Sequence, residues 1–421
     1  MENTASPGGP VNRSLLAIRA LVGTVMVGLG PITVLASNGT VVLLSLLALG
    51  MRRSGLNRAM GLAKTPGGLA VGALLGWCLL SSLWAPIPLD AVEPALRLIG
   101  LVLLGLAALA GARTMDDETR TFAARCLLVG LAVMLVLFLV ERATGSGVRE
   151  LIRGAPSPRG LTKTSRGSVV LGIMLWPGVG LLAWWLRRRA LAVGLWLASA
   201  LVIFSLNMSA SKLGFLLASG VFVVALQRPR LVVRTLQAGL VGLMLLAPAV
   251  PRYVLNQQTL GIEGQRRLPE SWQHRVQIWQ FTADHIAEKP LFGAGFDASR
   301  TIPGQDQSIF FYAPDGSQVF HKKLFSLHPH NAYLHIWMEL GAVGAILAAL
   351  AGASLLGLIL RLSGDVRVQA LGAATAMSFL VNASVSFGIW QSWFLAAAVL
   401  GAFALVLLAG LIIPARPHPS S

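Results

Sequence analysis

The sequence predicts an all-α protein of the membrane, a polytopic bundle of about 12 transmembrane helices with a large segment on one side between the ninth and the tenth. Three observations lead there. Hydrophobic side chains make up 55% of the 421 residues and charged ones only 12%, with a mean hydropathy of +0.70, which excludes an ordinary soluble domain. Apolar runs near the ~20 residues a helix needs to cross a bilayer recur along almost the whole chain, and that favours helices over a barrel. Every second connection between these runs is short and basic, as a two-sided membrane topology requires.

Taken in order, the spans fall at 14–34, 38–51, 68–85, 92–112, 122–141, 167–186, 190–207, 212–227, 231–250, 332–360, 367–386 and 390–412. The leading "MENTASPGGPVNRS" is polar, and no small-residue cleavage site follows the first run, so that run is read as a retained helix. The basic connections are "MRRSGLNRAMGLAK", "GARTMDDETRTFAAR", "LRRRA", "QRPRLVVR" and "RLSGDVR". Positive charge marks the cytoplasmic side, which leaves both termini in the cytoplasm. The chain then divides into a bundle over 1–250, a segment on the far side over 251–331, and a last group of helices with a short tail over 332–421.

A formal net charge of +17 would suggest nucleic acid in a soluble protein. Here the cations sit at the ends of apolar runs, so they read as topology signals and no nucleic-acid partner is expected. Cys78 and Cys126 lie in apolar surroundings, far from any His or Cys cluster, and give neither a disulfide framework nor a metal site.

Two far-side segments break the charge pattern. The loop "RATGSGVRELIRGAPSPRGLTKTSR" holds Arg142, Arg149, Arg153, Arg159, Lys163 and Arg166 against a single acid, Glu150. Such a surplus calls for an anionic partner, either the headgroups of membrane lipids or a phosphate site. The second segment, 251–331, is long for a loop and rich in ordered features. Trp272, Val276, Trp279, Ala283 and Ile286 recur at spacings of four and three, the stripe of an amphipathic helix that Pro290 ends. Its tryptophans suit a helix lying at a membrane interface, with Arg275 and Trp279 on one face.

The chemistry gathers in "SLHPHNAYLHIWMELG", where His328, His330 and His335 stand within one short stretch at the start of an apolar run. Pro329 fits a first helical position and Asn331 an N-cap, so the tenth span begins here with His330 at its mouth. A helix N-terminus favours anions and lowers the pKa of a nearby imidazole, which makes a neutral His330 a usable general base. Inside the span His335 and Glu339 are four apart, so the carboxylate can orient that imidazole. Zinc is a rival reading, but Pro329 intervenes and the spacing matches no metal motif, so no metal and no cofactor is expected. Lys212, at the mouth of the eighth span after Ser209 and Ser211, is a boundary cation that either snorkels or binds an anion.

The stretch "HPHNAYLHIWMELGAVG", with "R-VQIW" and "EKPLFGAGF" before it, resembles the O-antigen ligase and polymerase superfamily of bacterial inner membranes. The likeness covers roughly 200–400. It implies a membrane glycosyltransferase acting at the periplasmic face on undecaprenyl-diphosphate-linked glycans, with lipid A core as the acceptor of a ligase. The family's histidine falls on His330 and its periplasmic arginine on Arg275. Its basic helix mouth falls on Ser211, Lys212 and Gly214, where lysine replaces arginine, and Arg166 with Gly167 resembles a further basic site. Asn331, His335, Glu339 and His328 then support the centre. The rival readings are an O-antigen polymerase, a protein O-oligosaccharyltransferase, and a transporter of a lipid-linked sugar, which would need no base.

Overall fold

A computed structural model describes residues 13–156, 164–321, 323–325 and 327–412; within it the side chains of 13, 52–60, 62, 320 and 321 are not described. Arg159 and Lys163 of the basic loop lie outside the described residues. The first half of the chain forms α1 (Arg13–Leu35), α2 (Thr40–Ala63), α3 (Pro66–Ser81), α4 (Pro88–Thr114), α5 (Asp117–Ala143) and the short α6 (Gly147–Arg153). Then come α7 (Ser165–Gly180), which runs on through a π-helical turn to Trp185, α8 (Arg189–Ser205), α9 (Ser209–Ala225) and α10 (Pro229–Leu246). Start signals are local: Thr65 Oγ1 accepts from Gly68 N at 3.1 Å, Asp116 Oδ1 from Thr119 N at 2.8 Å, and proline fills the first position of α3, α4 and α10.

The 251–331 segment carries α11 (Gln257–Arg266), α12 (Glu270–Glu288) and an antiparallel hairpin of β1 (Ile309–Tyr312) and β2 (Gln318–His321). The chain closes with α13 (Ala332–Gly357), α14 (Ile359–Leu362), α15 (Val366–Val385) and α16 (Ser392–Ile412). Among the described residues nine helices are long and apolar enough to cross a membrane, and three shorter apolar ones lie at Ser37–Met51, Arg189–Ser205 and Ser209–Ala225. The protein is a multi-pass, helical membrane protein.

Packing makes α7 the centre. Its residues from Gly167 to Gly180 are all buried, and α5, α8, α15 and α16 surround it. Around that core α1 pairs with α5, α2 with α4, α9 with α15, and both α3 and α10 with α13. A second apolar cluster joins α12 and the hairpin to α3, α10 and α13 through Cys78, Met244, Ile278, Phe311 and Tyr333.

Three expectations are corrected. The basic stretch after residue 51, read as a connection, continues α2 as helix to Ala63; its Leu, Met, Arg and Ala residues are good helix formers. Pro329 is not the first helical residue: Asn331 is the cap, its Oδ1 accepting from Tyr333 N at 2.9 Å and Leu334 N at 3.1 Å, and the helix begins at Ala332. The stripe of α12 forms as expected but faces protein, since Val276, Trp279, Ala283 and Ile286 are buried and the helix docks on α13. The hairpin was not anticipated. Polar residues of α12 hold it: Gln273 bonds both the N–H and the carbonyl of Tyr312 at 2.8 Å, and Gln277 Nε2 donates to Phe310 O at 2.9 Å.

Candidate active site

The site is assembled where α13 begins, and a break in that helix organises it. At Gly341 the backbone turns to φ 65° and ψ −164°, which interrupts the helical ladder. The freed groups are taken up by the loop after α12: Ala294 N donates to Met338 O at 2.8 Å, Gly295 N to Glu339 O at 2.9 Å, Ala342 N to Pro290 O at 2.8 Å and Val343 N to Leu291 O at 3.3 Å. Trp77 Nε1 supplies the remaining donor, to Leu340 O at 3.0 Å. A Cβ on Gly341 would stand 2.4 Å from Leu291 O, and one on Gly293, itself at φ 73°, 2.4 Å from Glu339 O. The "PLFGAGF" and "MELG" stretches are therefore one interlocked unit that satisfies its own backbone.

Behind this lock sits a buried polar cluster. Glu339 is fully buried; its Oε1 accepts from Ser299 N at 3.1 Å and lies 3.1 Å from His335 Nε2, and its Oε2 accepts from Trp390 Nε1 at 2.7 Å. His335 Nε2 also lies 3.2 Å from Ser299 Oγ, while its Nδ1 is buried without a partner. Serine and carboxylate share the same ring nitrogen, so this is not a nucleophilic relay, which needs them on opposite nitrogens. It is a carboxylate held by three donors.

In front of the cap the backbone differs. His330 stands in the left-handed region at φ 54°, and its Nδ1 donates to Ser386 O at 2.6 Å. That bond sets the tautomer of a neutral ring: the proton is on Nδ1 and the lone pair on Nε2, which has no partner among the described residues. Burial pulls the imidazole down to about 4; the Ser386 carbonyl opposes the shift and the Arg275 charge adds to it. His328 is pushed lower still, by burial first and then by His330 and His335. Its ring is held between His330 N, 3.2 Å from Nδ1, and the Gln391 amide, 2.9 Å from Nε2.

Arg275 joins His330 through consecutive carbonyls. Its Nε donates to Val385 O at 2.9 Å and its Nη1 to Ser271 O at 2.7 Å, with the guanidinium 5.5 Å above the Trp272 ring. The last turn of α15 leaves carbonyls unpaired, and residues 385 and 386 spend theirs on Arg275 and His330. Burial lowers the Arg275 pKa, but a guanidinium keeps its proton at neutral pH. Its Nη2 is unengaged among the described residues.

The other expected cations differ from one another. Arg166 Nη1 donates to Asn38 Oδ1 at 3.0 Å and its guanidinium lies 5.6 Å from the Trp393 ring, whose Nε1 donates to Gln391 Oε1 at 2.8 Å and so leads to His328. The Lys212 side chain makes no hydrogen bond or ion pair among the described residues; its neighbour Ser211 meets Ser168 Oγ at 2.9 Å and Asn382 Oδ1 at 3.5 Å. Among the cations of the basic loop Arg149 is set apart. It is 3% exposed, its guanidinium donating to Val34 O, whereas Arg142 and Arg153 are exposed. Sequence reasoning missed Ser299, Arg300, Ser386, Trp390 and Gln391, none of which stands in a motif. Among the described residues no group of three His, Cys, Asp or Glu side chains is arranged to hold a metal ion.

Residues 161–349 match the O-antigen ligase family, a stretch that holds Arg166, Lys212, Arg275, His330, Glu339 and Gly341. Over that segment the chain is similar to the O-antigen ligase family. Beyond it, the chain is 27% identical over 342 residues to a Rickettsia bellii protein named "Putative polysaccharide ligase", covering 80% of this chain and 79% of the relative. Proteins of the same name from Rickettsia felis and Rickettsia conorii are each 26% identical, over 345 and 338 residues and 80% of this chain. At the mouth of α13 the open Nε2 of His330 and the guanidinium of Arg275 are held by neighbouring carbonyls at the end of α15.

Proposed function

We propose that this protein is an O-antigen ligase of the bacterial inner membrane, transferring polysaccharide from undecaprenyl diphosphate to a sugar hydroxyl of the lipid A core at the periplasmic face. The observation that carries the reading is the fixed tautomer of His330, whose unpartnered Nε2 lies beside a cation. A sugar hydroxyl is a poor nucleophile and needs a base; the diphosphate leaves with charge already spread over its oxygens and needs cations. His330 Nε2 takes the hydroxyl proton as the oxygen attacks the anomeric carbon, the bond from that carbon to the diphosphate oxygen breaks, and the electron pair leaves with the lipid diphosphate. Direct displacement inverts the anomeric centre.

Arg275 offers its free Nη2 to the diphosphate, with Arg166 and Lys212 as further counter-charges. A bound diphosphate would also oppose the positive surroundings that hold His330 low, so the donor itself raises the base toward the pH at which it works best. Asn331 fixes the helix mouth, and His328, His335 and Glu339 shape the wall behind it. The test is a deletion strain complemented with the wild-type gene or His330→Ala. Loss of all capped lipopolysaccharide with accumulation of lipid-linked polymer, restored only by wild type, supports ligase. Core bearing a single repeat means a polymerase, and unchanged lipopolysaccharide with unglycosylated protein means a protein glycosyltransferase.

A further inference from the structure

Two planar peptide groups end α15, and one acceptor orients both. Ser386 N donates to Asn382 O at 3.1 Å and Phe387 N to the same oxygen at 3.3 Å. The carbonyls of those two peptides are Val385 O and Ser386 O, which accept from Arg275 Nε at 2.9 Å and His330 Nδ1 at 2.6 Å. A trans peptide is rigid and holds its C=O opposite its N–H, so the Asn382 oxygen aims the partners of both site residues at once.

The Asn382 side chain is 2% exposed and lies where three helices meet. Its Nδ2 donates to Ser378 O at 2.8 Å, and its Oδ1 lies 3.5 Å from Ser211 Oγ, which in turn meets Ser168 Oγ at 2.9 Å. Both serines are buried. The helices approach closely there, since a Cβ on Gly214 would stand 3.3 Å from Asn382 Nδ2. Ser211 directly precedes Lys212, and Ser168 follows Arg166 by two residues. One buried polar junction therefore joins the mouths of α7 and α9, which carry two of the cations, to the end of α15, which holds Arg275 and His330. Inside a bilayer no water competes for such groups, so polar contacts between helices fix their relative placement.

We infer that Asn382 is a positioning residue for the transfer, fixing the spacing between the Arg275 and His330 pair and the cations of α7 and α9. This rests on the ligase reading and adds to it a residue that touches neither substrate. The diphosphate has to meet Arg275 Nη2 and the cations of the other two helices while its anomeric carbon faces His330 Nε2. Three helix ends must keep their spacing for that, and misplacing reacting groups by ~1 Å costs about 10²-fold in rate.

The test follows lipid diphosphate release by the full-length protein in detergent, at saturating lipid-linked donor and acceptor. Asn382→Leu, close in volume but without the amide, should lower kcat per folded molecule by about 10²-fold. Ser211→Ala, a gentler change, should fall between it and wild type. Ser378→Ala is the control: it removes the 3.1 Å bond from Trp176 Nε1 to Ser378 Oγ one turn earlier and leaves the Ser378 carbonyl to Asn382. It should cost stability but hold kcat within about twofold, because that bond does not reach the last turn. On His330→Ala protein, Asn382→Leu should cost no more than about threefold further, since residues acting through one another are not additive. A near-normal kcat for both Asn382→Leu and Ser211→Ala, an equal loss in Ser378→Ala, or a full further loss on His330→Ala overturns the inference. A readout independent of the reaction uses ¹⁵N-labelled histidine, with the His330 signals assigned by their loss in His330→Ala. The Nδ1-protonated form of wild type should give way to mixed tautomers in Asn382→Leu, and an unchanged spectrum overturns the positioning role. Normal turnover of His330→Ala instead overturns the base, and the spectra still decide Asn382, so the two failures are distinguishable.

Discussion

His330 and His335 are five residues apart in sequence and occupy opposite kinds of environment, one on each side of the Asn331 cap. Ahead of the cap, His330 lies in left-handed backbone, spends Nδ1 on Ser386 O and leaves Nε2 open. Behind it, His335 is 4% exposed, with Nε2 committed to Glu339 and Ser299. The cap decides the difference. A residue before it can aim its side chain at the solvent-facing end of the bundle, while a residue one turn into the helix is directed to the interior and becomes part of the lock around Gly341. One histidine-rich motif thus leaves one imidazole nitrogen open on one side and commits the other to scaffold.

The lock should give the largest effect. Gly341→Ala and Gly293→Ala each force a side chain onto a positive φ, about 1–3 kcal/mol, and onto a carbonyl oxygen 2.4 Å away. Folded protein should be almost lost in both by size-exclusion yield, whereas Gly72→Ala, with open space around it, should behave as wild type. Normal yield of Gly341→Ala would remove the lock from the argument.

Exchanging the two histidines for alanine separates chemistry from scaffold. His330→Ala should lose about 10²-fold to 10⁴-fold in turnover while melting near wild type and still binding the lipid-linked donor. His335→Ala leaves the Glu339 carboxylate buried with one donor fewer, so stability should drop by about 3 kcal/mol, with turnover per folded molecule much closer to wild type. The reverse pattern, an inert His330 and a turnover-dead but stable His335 variant, sinks the comparison.

Arg275→Lys is a smaller perturbation on the chemical side. An ammonium cannot donate to Val385 O and Ser271 O while presenting a further donor in the same plane, so donor KM should rise by about tenfold with partial turnover retained. An unchanged donor KM would mean that Arg275 only braces the end of α15.

The mildest effect is in pH. Because the His330 imidazole is held near 4 in the free protein, kcat/KM should stay level from neutral pH down to about 5 and fall below that. The unfolded chain takes up a proton at its ordinary value of 6.5, which the folded one refuses until about 4. Stability is thus full above 6.5 and declines as pH falls through that window. His330→Asn should flatten part of this decline in a thermal melt; an identical slope would show that another group carries it.

Much of the centre was legible because it is local. Cap, histidines and Glu339 follow from residue type and helical spacing, Arg275 was placed with them by the family resemblance, and the i to i+4 pair of His335 and Glu339 forms as spacing requires. The hairpin was not legible, since its strands are only four residues each and are held by Gln273 and Gln277, whose partners lie more than thirty residues away. Nor was the burial of Arg149, which depends on Val34 at the end of α1.

By itself the sequence determined that the chain is a helical membrane protein, where most helices start, and which short stretch concentrates imidazole, because hydropathy, capping and periodicity act over a few turns of backbone. Only the tertiary structure decided which nitrogen of His330 is free, that Val385 and Ser386 are the carbonyls tying Arg275 to it, and that the loop before Gly295 repairs the break at Gly341. Those outcomes depend on unpaired backbone groups, which cannot find water inside a bilayer and must be met by whichever distant segment the fold brings near.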